Sequence, residues 1–298
     1  MKKRKEIIMK YISIASEFVM KYVFMVAAAA SILAVFLICV FLFANGIPAM
    51  KEVGVFQFLF GTKWAPGNIP ASYSIFPMIL GSIYITGGAI LFGVPIGLLT
   101  AIFMARFCPK KLYKVLKPAV ELLAGIPSII YGFFGLVVLV PLIRTVFERF
   151  DTNGKSILTA SILLGIMILP TIINVSESSI RAVPNSYYEG ALALGATHER
   201  AVFFTVVPAA KSGILAALVL GIGRAIGETM AVIMVAGNQP RMPDGIFKGI
   251  RTMTANIVLE MGYATDLHRE VLIATGVVLF VFILLINLSF SALKKKLN

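Results

Sequence analysis

Two charged residues lie within a long apolar stretch of the sequence, and their types indicate chemistry with an anion. Arg224 and Glu228 are four positions apart inside the largely apolar stretch 212–236. On a continuous helix, this spacing places both side chains on one face, one turn apart. The guanidinium group offers five donors in a planar fork that suits an oxyanion. We therefore predict that the two residues line an anion path. The alternative is an ion pair that only specifies helix packing.

A second segment, 181–211, has the pattern of a contact surface for another protein. Good helix formers occupy 187–194, and Gly195 follows at the position where helices commonly end. Thr197 is placed to cap a second short helix, and Pro208 closes the segment. The pattern predicts a helix–glycine–helix element suited to a groove in a partner. A plain connector between two membrane spans is the alternative.

The composition places both features in a membrane protein. Of all residues, 59% are hydrophobic and only 14% are charged, against roughly 45–50% and 25% in soluble domains. About 20 apolar residues are needed to cross the hydrocarbon core. Six stretches qualify, and they are 22–44, 76–105, 118–143, 157–180, 212–236 and 271–292. The predicted fold is therefore an all-α integral membrane protein with six transmembrane helices. Arg224 then lies near the bilayer centre, where a charge needs a partner or a watery path.

The distribution of basic residues predicts the orientation. With both termini in the cytoplasm, 17 Lys and Arg residues fall inside and nine outside, as the positive-inside rule requires. The loop 106–117 is the clearest indicator, because it holds five basic residues and no acidic one. The basic residues follow the topology, so the net charge of +13 does not indicate nucleic acid as a partner. Residues 1–21 are predicted to form an amphipathic helix on the inner membrane surface, before a six-span domain over 22–298. A plain extension of the first span is the alternative.

The sequence contains no motif for catalysis, a cofactor or a metal. A P-loop sequence is absent, and the glycines of 221–227 have the wrong spacing for a dinucleotide fingerprint. The two cysteines, Cys39 and Cys108, and the two histidines have no neighbours that suggest metal ligation. We expect no catalytic residue, no bound metal and no cofactor, and therefore no enzymatic site.

Two acidic residues near the cytoplasmic ends of spans have predicted structural roles. Glu121 is expected to form a local salt bridge with Lys114 or Lys117 rather than to contact a substrate. Glu177, near the end of the fourth span, is a candidate brace for the segment 181–211.

The segment 186–208 resembles the EAA loop of ABC-importer permeases. That pattern is Glu-Ala-Ala, three residues, Gly, nine residues, and Ile-x-Leu-Pro. The positions that match in register are Glu189, Ala191, Gly195 and Pro208. The positions that differ are Gly190, Thr205 and Val207, which stand where the pattern has alanine, isoleucine and leucine. In that family the loop forms a coupling helix that docks into a cleft of the ATP-binding subunit. The resemblance implies this role for Glu189, Gly190, Ala191, Gly195 and Pro208.

Two further stretches, 121–135 and 223–238, resemble the phosphate-importer permeases, and the second resembles their PstC-type subunit. The resemblance extends from about residue 45 onward. It implies a type I ABC-importer permease fold in the cell membrane and import of phosphate driven by ATP that other subunits hydrolyse. The implied partners are a PstA-type sister permease, two ATP-binding subunits and an extracytoplasmic phosphate-binding protein.

Protonation gives Glu228 a role in an anion path that carries phosphate. Hydrogen phosphate has a proton to donate to a carboxylate, whereas sulfate has none and is repelled. The alternatives are a permease for another oxyanion, a non-transporting membrane scaffold or sensor, and a proton-driven secondary transporter. Arg224 and Glu228 in mid-span argue against the scaffold, and the loop around Gly195 argues against the secondary transporter.

Overall fold

The computed structural model describes the backbone of residues 2–297 and the side chains of Glu17 and of residues 19–292. This part of the chain is almost entirely helical, with one short antiparallel hairpin. The first half contains α1 (Lys2–Val53), α2 (Val55–Phe60), β1 (Trp64–Ala65), β2 (Ser72–Tyr73), α3 (Phe76–Ile102), α4 (Lys110–Gly125), α5 (Ser128–Phe134), α6 (Val140–Val146) and α7 (Ile157–Arg181). The second half contains α8 (Asn185–Ala193), α9 (His198–Ala201), α10 (Val207–Ala209), α11 (Lys211–Gly227), α12 (Met230–Val235), α13 (Met253–Glu260) and α14 (Asp266–Leu297). Single π-helical turns continue α3, join α5 to α6 and join α9 to α10, and they are Phe103–Phe107, Gly135–Leu139 and Val202–Val206. A 3₁₀ turn, Glu148–Phe150, follows α6.

Helix α7 lies at the centre of the bundle, with α3 and α11 packed against it. Two-thirds of its apolar window is buried, whereas the other long apolar helices are at most one-third buried. Small residues allow this close packing. A Cβ atom at Gly93 of α3 would lie only 2.8 Å from the carbonyl oxygen of Gly165 in α7. The hydroxyl of Ser161 also donates to the carbonyl of Ile85 across the same interface, at 3.3 Å.

Five helices are long and apolar enough to cross a membrane, and a bent pair brings the number to six within the described residues. The five are Val19–Val53, Phe76–Phe107, Ser128–Val146, Ile157–Arg181 and Asp266–Ala292. The pair consists of His198–Ala209 and Lys211–Gly227, which meet at 69°. The six-helix all-α membrane fold is therefore confirmed.

The third and fifth spans differ from the predicted stretches 118–143 and 212–236. Pro127 has no N–H to continue the helix and disfavours helical backbone at Ile126, so α4 ends at Gly125 and the span begins at Ser128. The fifth span breaks after Gly227, because Glu228 adopts an extended backbone before the short helix α12. The prediction of one continuous helix over 212–236 is wrong.

The first helix is continuous from Lys2 to Val53. The amphipathic segment predicted for 1–21 is therefore not separated from the first span by a break. Most of its side chains lie outside the described residues. Beyond residue 40, α1 packs against α14, and residues such as Ala49 and Val277 are buried between them.

A buried polar cluster joins the segments 45–75 and 237–270, which are extracytoplasmic in the predicted topology. The carboxylate of Glu260 is only 4% exposed. It accepts hydrogen bonds from Trp64 Nε1 at 3.0 and 3.1 Å, forms an ion pair with Arg251, and lies 2.8 Å from His268 Nε2. Because Glu260 ends α13 and its partners come from β1, the loop before α13 and α14, this cluster joins four segments at one end of the bundle. No local sequence pattern predicts this cluster.

Candidate functional site

Arg224 lies on α11, three residues before the helix ends. Its side chain is half-buried, and it makes no hydrogen bond and no salt bridge to any side chain or backbone group that the structure describes. Its charge acts on the phenol of Tyr131 in α5, which donates to the carbonyl of Leu123 at 2.8 Å. An uncompensated guanidinium inside a membrane bundle is available for an anion or for a group on another subunit.

Glu228 lies at the break between α11 and α12, with φ −69° and ψ 129°. One carboxylate oxygen accepts from the backbone N–H groups of Thr229 and Ala231, both at 3.1 Å. The carboxylate therefore caps the positive end of α12, where a negative charge is favourable. Among the described residues, Glu228 and Arg224 form no ion pair within 4.0 Å. The prediction of a pair on one continuous helix face is wrong, because the helix ends before Glu228.

One strip of α11 is open in the single chain and carries Arg224 at its centre. Gly223 and Gly227 lie next to the arginine on this strip, and a Cβ atom at either would meet no atom within 4 Å. Leu220, one turn earlier, is 55% exposed. The strip has the small side chains that permit close approach of a second helix or of an anion.

The segment 181–211 has the predicted helix–glycine–helix form. Gly195 has φ +84° and terminates α8 with two backbone hydrogen bonds, from Gly195 N–H to Leu192 at 2.9 Å and from Ala196 N–H to Ala191 at 3.1 Å. This is the Schellman arrangement, in which glycine avoids the strain of a left-handed backbone. The Thr197 hydroxyl accepts from the N–H of Arg200 at 3.3 Å and caps α9. The predicted turn and cap are confirmed.

Three of the residues aligned with the EAA pattern lie on one helix, and the other two lie at the turn and the bend that follow it. Glu189, Gly190 and Ala191 lie on α8, of which Glu189 and Gly190 are exposed. Pro208 lies in α10, next to the bend into α11. No side chain of α8 belongs to the buried core, so this helix presents its surface outward at the cytoplasmic end of the predicted topology.

The surface helix α8 is attached to α3 through its end turns. Tyr188 Oη lies 2.7 Å from His198 Nδ1, which ties α8 to α9. The His198 ring packs edge-on against Phe107, at 4.7 Å between centroids. Arg106 donates to the carbonyl of Ile180 at 3.1 Å. These contacts link α8, through α9, to the π turn at the end of α3, and that turn to the end of α7.

Glu177 is the centre of a second anchor beneath this surface. The residue is 1% exposed, and its carboxylate accepts from Tyr113 Oη and Lys117 Nζ, both at 2.8 Å, and from Arg181. Arg181 also donates to the carbonyl of Met104 at 2.7 Å. Burial is the main cause that raises the pKa of the Tyr113 phenol, and its hydrogen bond to Glu177 raises it further. The cluster joins α3, α4 and α7 immediately before segment 181–211, as expected of a brace.

Glu121 has the local role that the sequence predicts. Its carboxylate lies 3.9 Å from Lys117 Nζ, and its side chain is 59% exposed. The same lysine makes its shorter contact with Glu177, so the bridge to Glu121 is the weaker of the two.

Comparison with known proteins gives the family. Residues 93–298 match the family described as "Binding-protein-dependent transport system inner membrane component". The chain belongs to this family. It is therefore a multi-pass membrane protein of the ABC-importer permease kind, as the EAA-like loop suggested.

Curated relatives of this permease match over most of its length. It is 41% identical over 258 residues to "Probable ABC transporter permease protein YqgH" of Bacillus subtilis, with 84% of this chain and 83% of the relative covered. It is 36% identical to "Phosphate transport system permease protein PstC" of Mesorhizobium japonicum, covering 84% and 81%. It is 33% identical to "Probable phosphate transport system permease protein PstC" of Methanocaldococcus jannaschii, covering 85% of each chain.

Solved structures support the same fold at lower identity. A chain of the MetNI methionine ABC transporter in an inward-facing conformation matches with a TM-score of 0.61 and 20% identity, covering 75% of this permease and 96% of that chain. A chain of a bacterial alginate ABC transporter matches with a TM-score of 0.61 and 18% identity, covering 91% and 94%. The arrangement of membrane helices is that of ABC-importer permeases.

Proposed function

We propose that this permease forms half of the translocation path of an ATP-driven importer of inorganic phosphate. The observation that carries the proposal is Arg224, a half-buried guanidinium with no hydrogen-bond or ion-pair partner among the described residues, on an open strip of α11. A planar fork of donors suits phosphate oxygens. The relatives named PstC support phosphate as the transported oxyanion.

The break beside Arg224 supports a path for the substrate. Helix interruptions at membrane depth are tolerated where they are buried in protein or line a cavity, and in many transporters they mark the substrate site. At this break, one carboxylate oxygen of Glu228 accepts from two backbone N–H groups, and the second oxygen has no donor among the described residues. The second oxygen remains to accept the proton of hydrogen phosphate and to repel sulfate.

The partners follow from the surfaces that this chain leaves open. The strip around Arg224 is the surface for a PstA-type sister permease, which completes the path. The exposed helix α8 is the surface for one of two ATP-binding subunits, with Glu189, Gly190 and Ala191 at the contact and Gly195 and Pro208 shaping the loop. An extracytoplasmic phosphate-binding protein delivers the substrate to the extracytoplasmic end of the bundle. Both termini lie in the cytoplasm.

In this mechanism the chain itself hydrolyses nothing. Closure of the partner ATPases moves α8, and the contacts of His198 with Phe107 and of Arg106 with Ile180 carry the motion to α3 and α7. Because α11 packs against α7, the strip with Arg224 moves as well, and access changes from outside to inside.

Reconstitution of the complete complex in liposomes tests the proposal. Radiolabelled phosphate is supplied with and without internal ATP and the binding protein, and radiolabelled sulfate is supplied in parallel. We expect phosphate uptake only when ATP and the binding protein are both present, with little sulfate uptake. Preferential sulfate uptake would assign another oxyanion. Uptake driven by a proton gradient without ATP would assign a secondary transporter, and no uptake of either anion would favour a scaffold or sensor.

A further inference from the structure

A polar groove opens on the side of the bundle opposite to α8. One of its two cavities has a volume of about 440 Å³ and is walled by the end of α6, the turn after it and the loop that follows α12. A second cavity of about 500 Å³ adjoins it and shares four lining residues, Arg144, Asp151, Thr152 and Asn153. In the predicted topology these segments are extracytoplasmic.

Three cationic side chains line the 440 Å³ cavity, against a single acidic one. They are Arg144, Arg241 and Lys248, and the acid is Asp151. Lys248 is already paired, because its Nζ lies 3.1 Å from the Asp151 carboxylate and 3.0 Å from the Asp151 carbonyl. The side chains of Arg144 and Arg241 make no hydrogen bond and no ion pair to any group that the structure describes. Two unpaired guanidinium groups in one concave site favour an anion with several oxygen acceptors.

The walls of the groove are held in place by contacts that do not involve these arginines. The Thr152 hydroxyl donates to the carbonyl of Phe247 at 2.8 Å. The rings of Phe150 and Phe247 stack with centroids 4.5 Å apart. Gly154 has φ +83°, and a Cβ atom there would lie 2.2 Å from the carbonyl oxygen of Val140. The cavity is therefore shaped before a ligand arrives, which lowers the entropic cost of binding.

The groove and the break beside Arg224 lie at opposite ends of α12. Glu228 caps the first turn of this helix, and Gln239 of the groove follows its last residue by four positions. The six residues of α12 span about 9 Å, and the groove lies beyond the far end of this helix. The amide oxygen of Gln239 is buried and has no donor among the described residues. A hydrogen bond to a buried acceptor without a partner is energetically favourable. Hydrogen phosphate carries an O–H group that can donate it.

We infer that the groove lined by Arg144, Arg241 and Gln239 is a second, outer binding site for a phosphate oxyanion. The inference rests on the proposed function and extends it, because phosphate would bind at this outer site before it reaches Arg224. The same chemistry would serve the phosphate headgroup of a lipid, and the experiment separates the two sources.

The test measures equilibrium binding of radiolabelled inorganic phosphate to the full chain in lipid-depleted detergent. All variants carry Arg224→Gln, so that the outer site is measured without the membrane site. Relative to that background, Arg144→Gln and Arg241→Gln are each expected to weaken binding about tenfold or more, because each removes a charge-assisted hydrogen-bond donor. Arg149→Gln is the matched control. Arg149 is an exposed arginine of the neighbouring 3₁₀ turn that does not line the groove, and its substitution should change binding less than twofold.

Equal binding in the groove variants and in the Arg149 control, or no binding in the Arg224→Gln background, would overturn the outer site. Either result leaves the proposed function intact if Arg224→Gln still stops uptake. Conversely, groove binding that persists while Arg224→Gln imports normally would refute the path at Arg224 and not the groove. Phospholipid that remains bound after detergent exchange, is lost with Arg144→Gln and Arg241→Gln and is displaced by inorganic phosphate would support the site and identify a headgroup as its second source.

Discussion

At the residue scale, the ends of helices decide what two charged side chains do. Arg224 lies within α11, and its guanidinium has no partner among the described residues. Glu228 lies beyond the end of α11, and one of its carboxylate oxygens accepts hydrogen bonds from the first turn of α12. The two residues are thus independent parts of the site. Glu228 both supports the break and presents an acidic oxygen beside it.

This dual role predicts a graded response at Glu228. Glu228→Gln keeps one oxygen that can accept from Thr229 and Ala231, so the cap and assembly should be retained. Its NH₂ group replaces the second oxygen and can donate to a phosphate oxygen, so phosphate uptake should fall only about two- to threefold, while exclusion of sulfate weakens because the charge is lost. Glu228→Ala also removes the cap, which costs about 1 kcal/mol, and should lower the thermal unfolding temperature as well as uptake. Competition of sulfate with radiolabelled phosphate, together with thermal unfolding in detergent, distinguishes the two. Equal behaviour of both variants would contradict the capping role.

The features of the site that depend on local sequence were predictable. Gly195 and Thr197 set a turn and a cap within a few residues of themselves, and the structure contains both. The pairing of Arg224 with Glu228 was predicted wrongly, because it assumed helical backbone where Glu228 is extended. The partners of Glu177 were predictable only in part. Arg181 lies four positions along the same helix, whereas Tyr113 and Lys117 come from a helix whose packing the sequence does not reveal.

At the scale of elements, the turn between α8 and α9 is held by the conformation of one glycine. No atom lies within 4 Å of a Cβ atom at Gly195, so a side chain there meets backbone strain and no steric clash. We expect Gly195→Val to lose most substrate-stimulated ATP hydrolysis, because a left-handed backbone costs about 1–2 kcal/mol for such a residue. Gly195→Asn should retain most of it, because asparagine tolerates this conformation.

Gly190→Ala is the matched control for that experiment. Gly190 lies within α8, also with open space around it, and its backbone is helical. Gly190 is also proposed to lie at the ATPase contact, but alanine is the residue that the EAA pattern has at this position. Gly190→Ala should therefore be tolerated, and should stabilise the helix by roughly 0.5–1 kcal/mol. ATP hydrolysis by the assembled complex is measured for all three variants. Normal coupling in Gly195→Val would mean that α8 does not transmit the motion.

The anchor below α8 gives a second prediction at this scale. Glu177→Gln leaves Lys117 and Arg181 without their buried counter-charge and should destabilise the protein by about 3–5 kcal/mol. Glu121→Gln removes a carboxylate from the same lysine, but at an exposed position, and should cost less than about 1 kcal/mol. Thermal unfolding of both variants in detergent makes the comparison. Equal shifts would show that the Glu177 cluster is no more than a surface ion pair.

At the scale of the whole molecule, the orientation of the bundle determines which surface meets which partner. Cys108 follows the π turn at the end of α3 and is partly exposed, whereas Cys39 lies within the first span. With the termini in the cytoplasm, a membrane-impermeant maleimide should label Cys108 in inside-out vesicles and not in intact cells. Cys108→Ser should abolish the signal, which shows that Cys39 does not contribute. Labelling of Cys108 in intact cells would reverse the orientation, and with it the assignment of α8 and of the outer groove.

The same scale shows why a single chain is an incomplete transporter. The strip of α11 with Leu220, Gly223 and Gly227 is open although α11 packs against α7 on its other side. The six-span bundle could be predicted from hydropathy alone. The break after Gly227 could not, because the residues around it are compatible with a continuous helix and tertiary contacts such as Thr254 Oγ1 to the carbonyl of Glu228, at 3.2 Å, stabilise the interrupted one.

Uptake of radiolabelled phosphate by reconstituted complexes with substitutions at Arg224 tests the central claim most directly. Arg224→Gln removes both the charge and the fork, and should lower the rate of uptake about a hundredfold or more, since two charge-assisted hydrogen bonds contribute about 3 kcal/mol in total. Arg224→Lys keeps the charge but lacks the planar fork of donors, so its rate of uptake should lie between those of the unchanged protein and of Arg224→Gln. Folding of the chain should be unchanged in both, because Arg224 makes no hydrogen bond or ion pair to the rest of the described chain. Assembly with the sister permease and ATP binding are measured alongside uptake. Normal phosphate uptake by a fully assembled Arg224→Gln complex would contradict the account, and would mean that the anion crosses elsewhere.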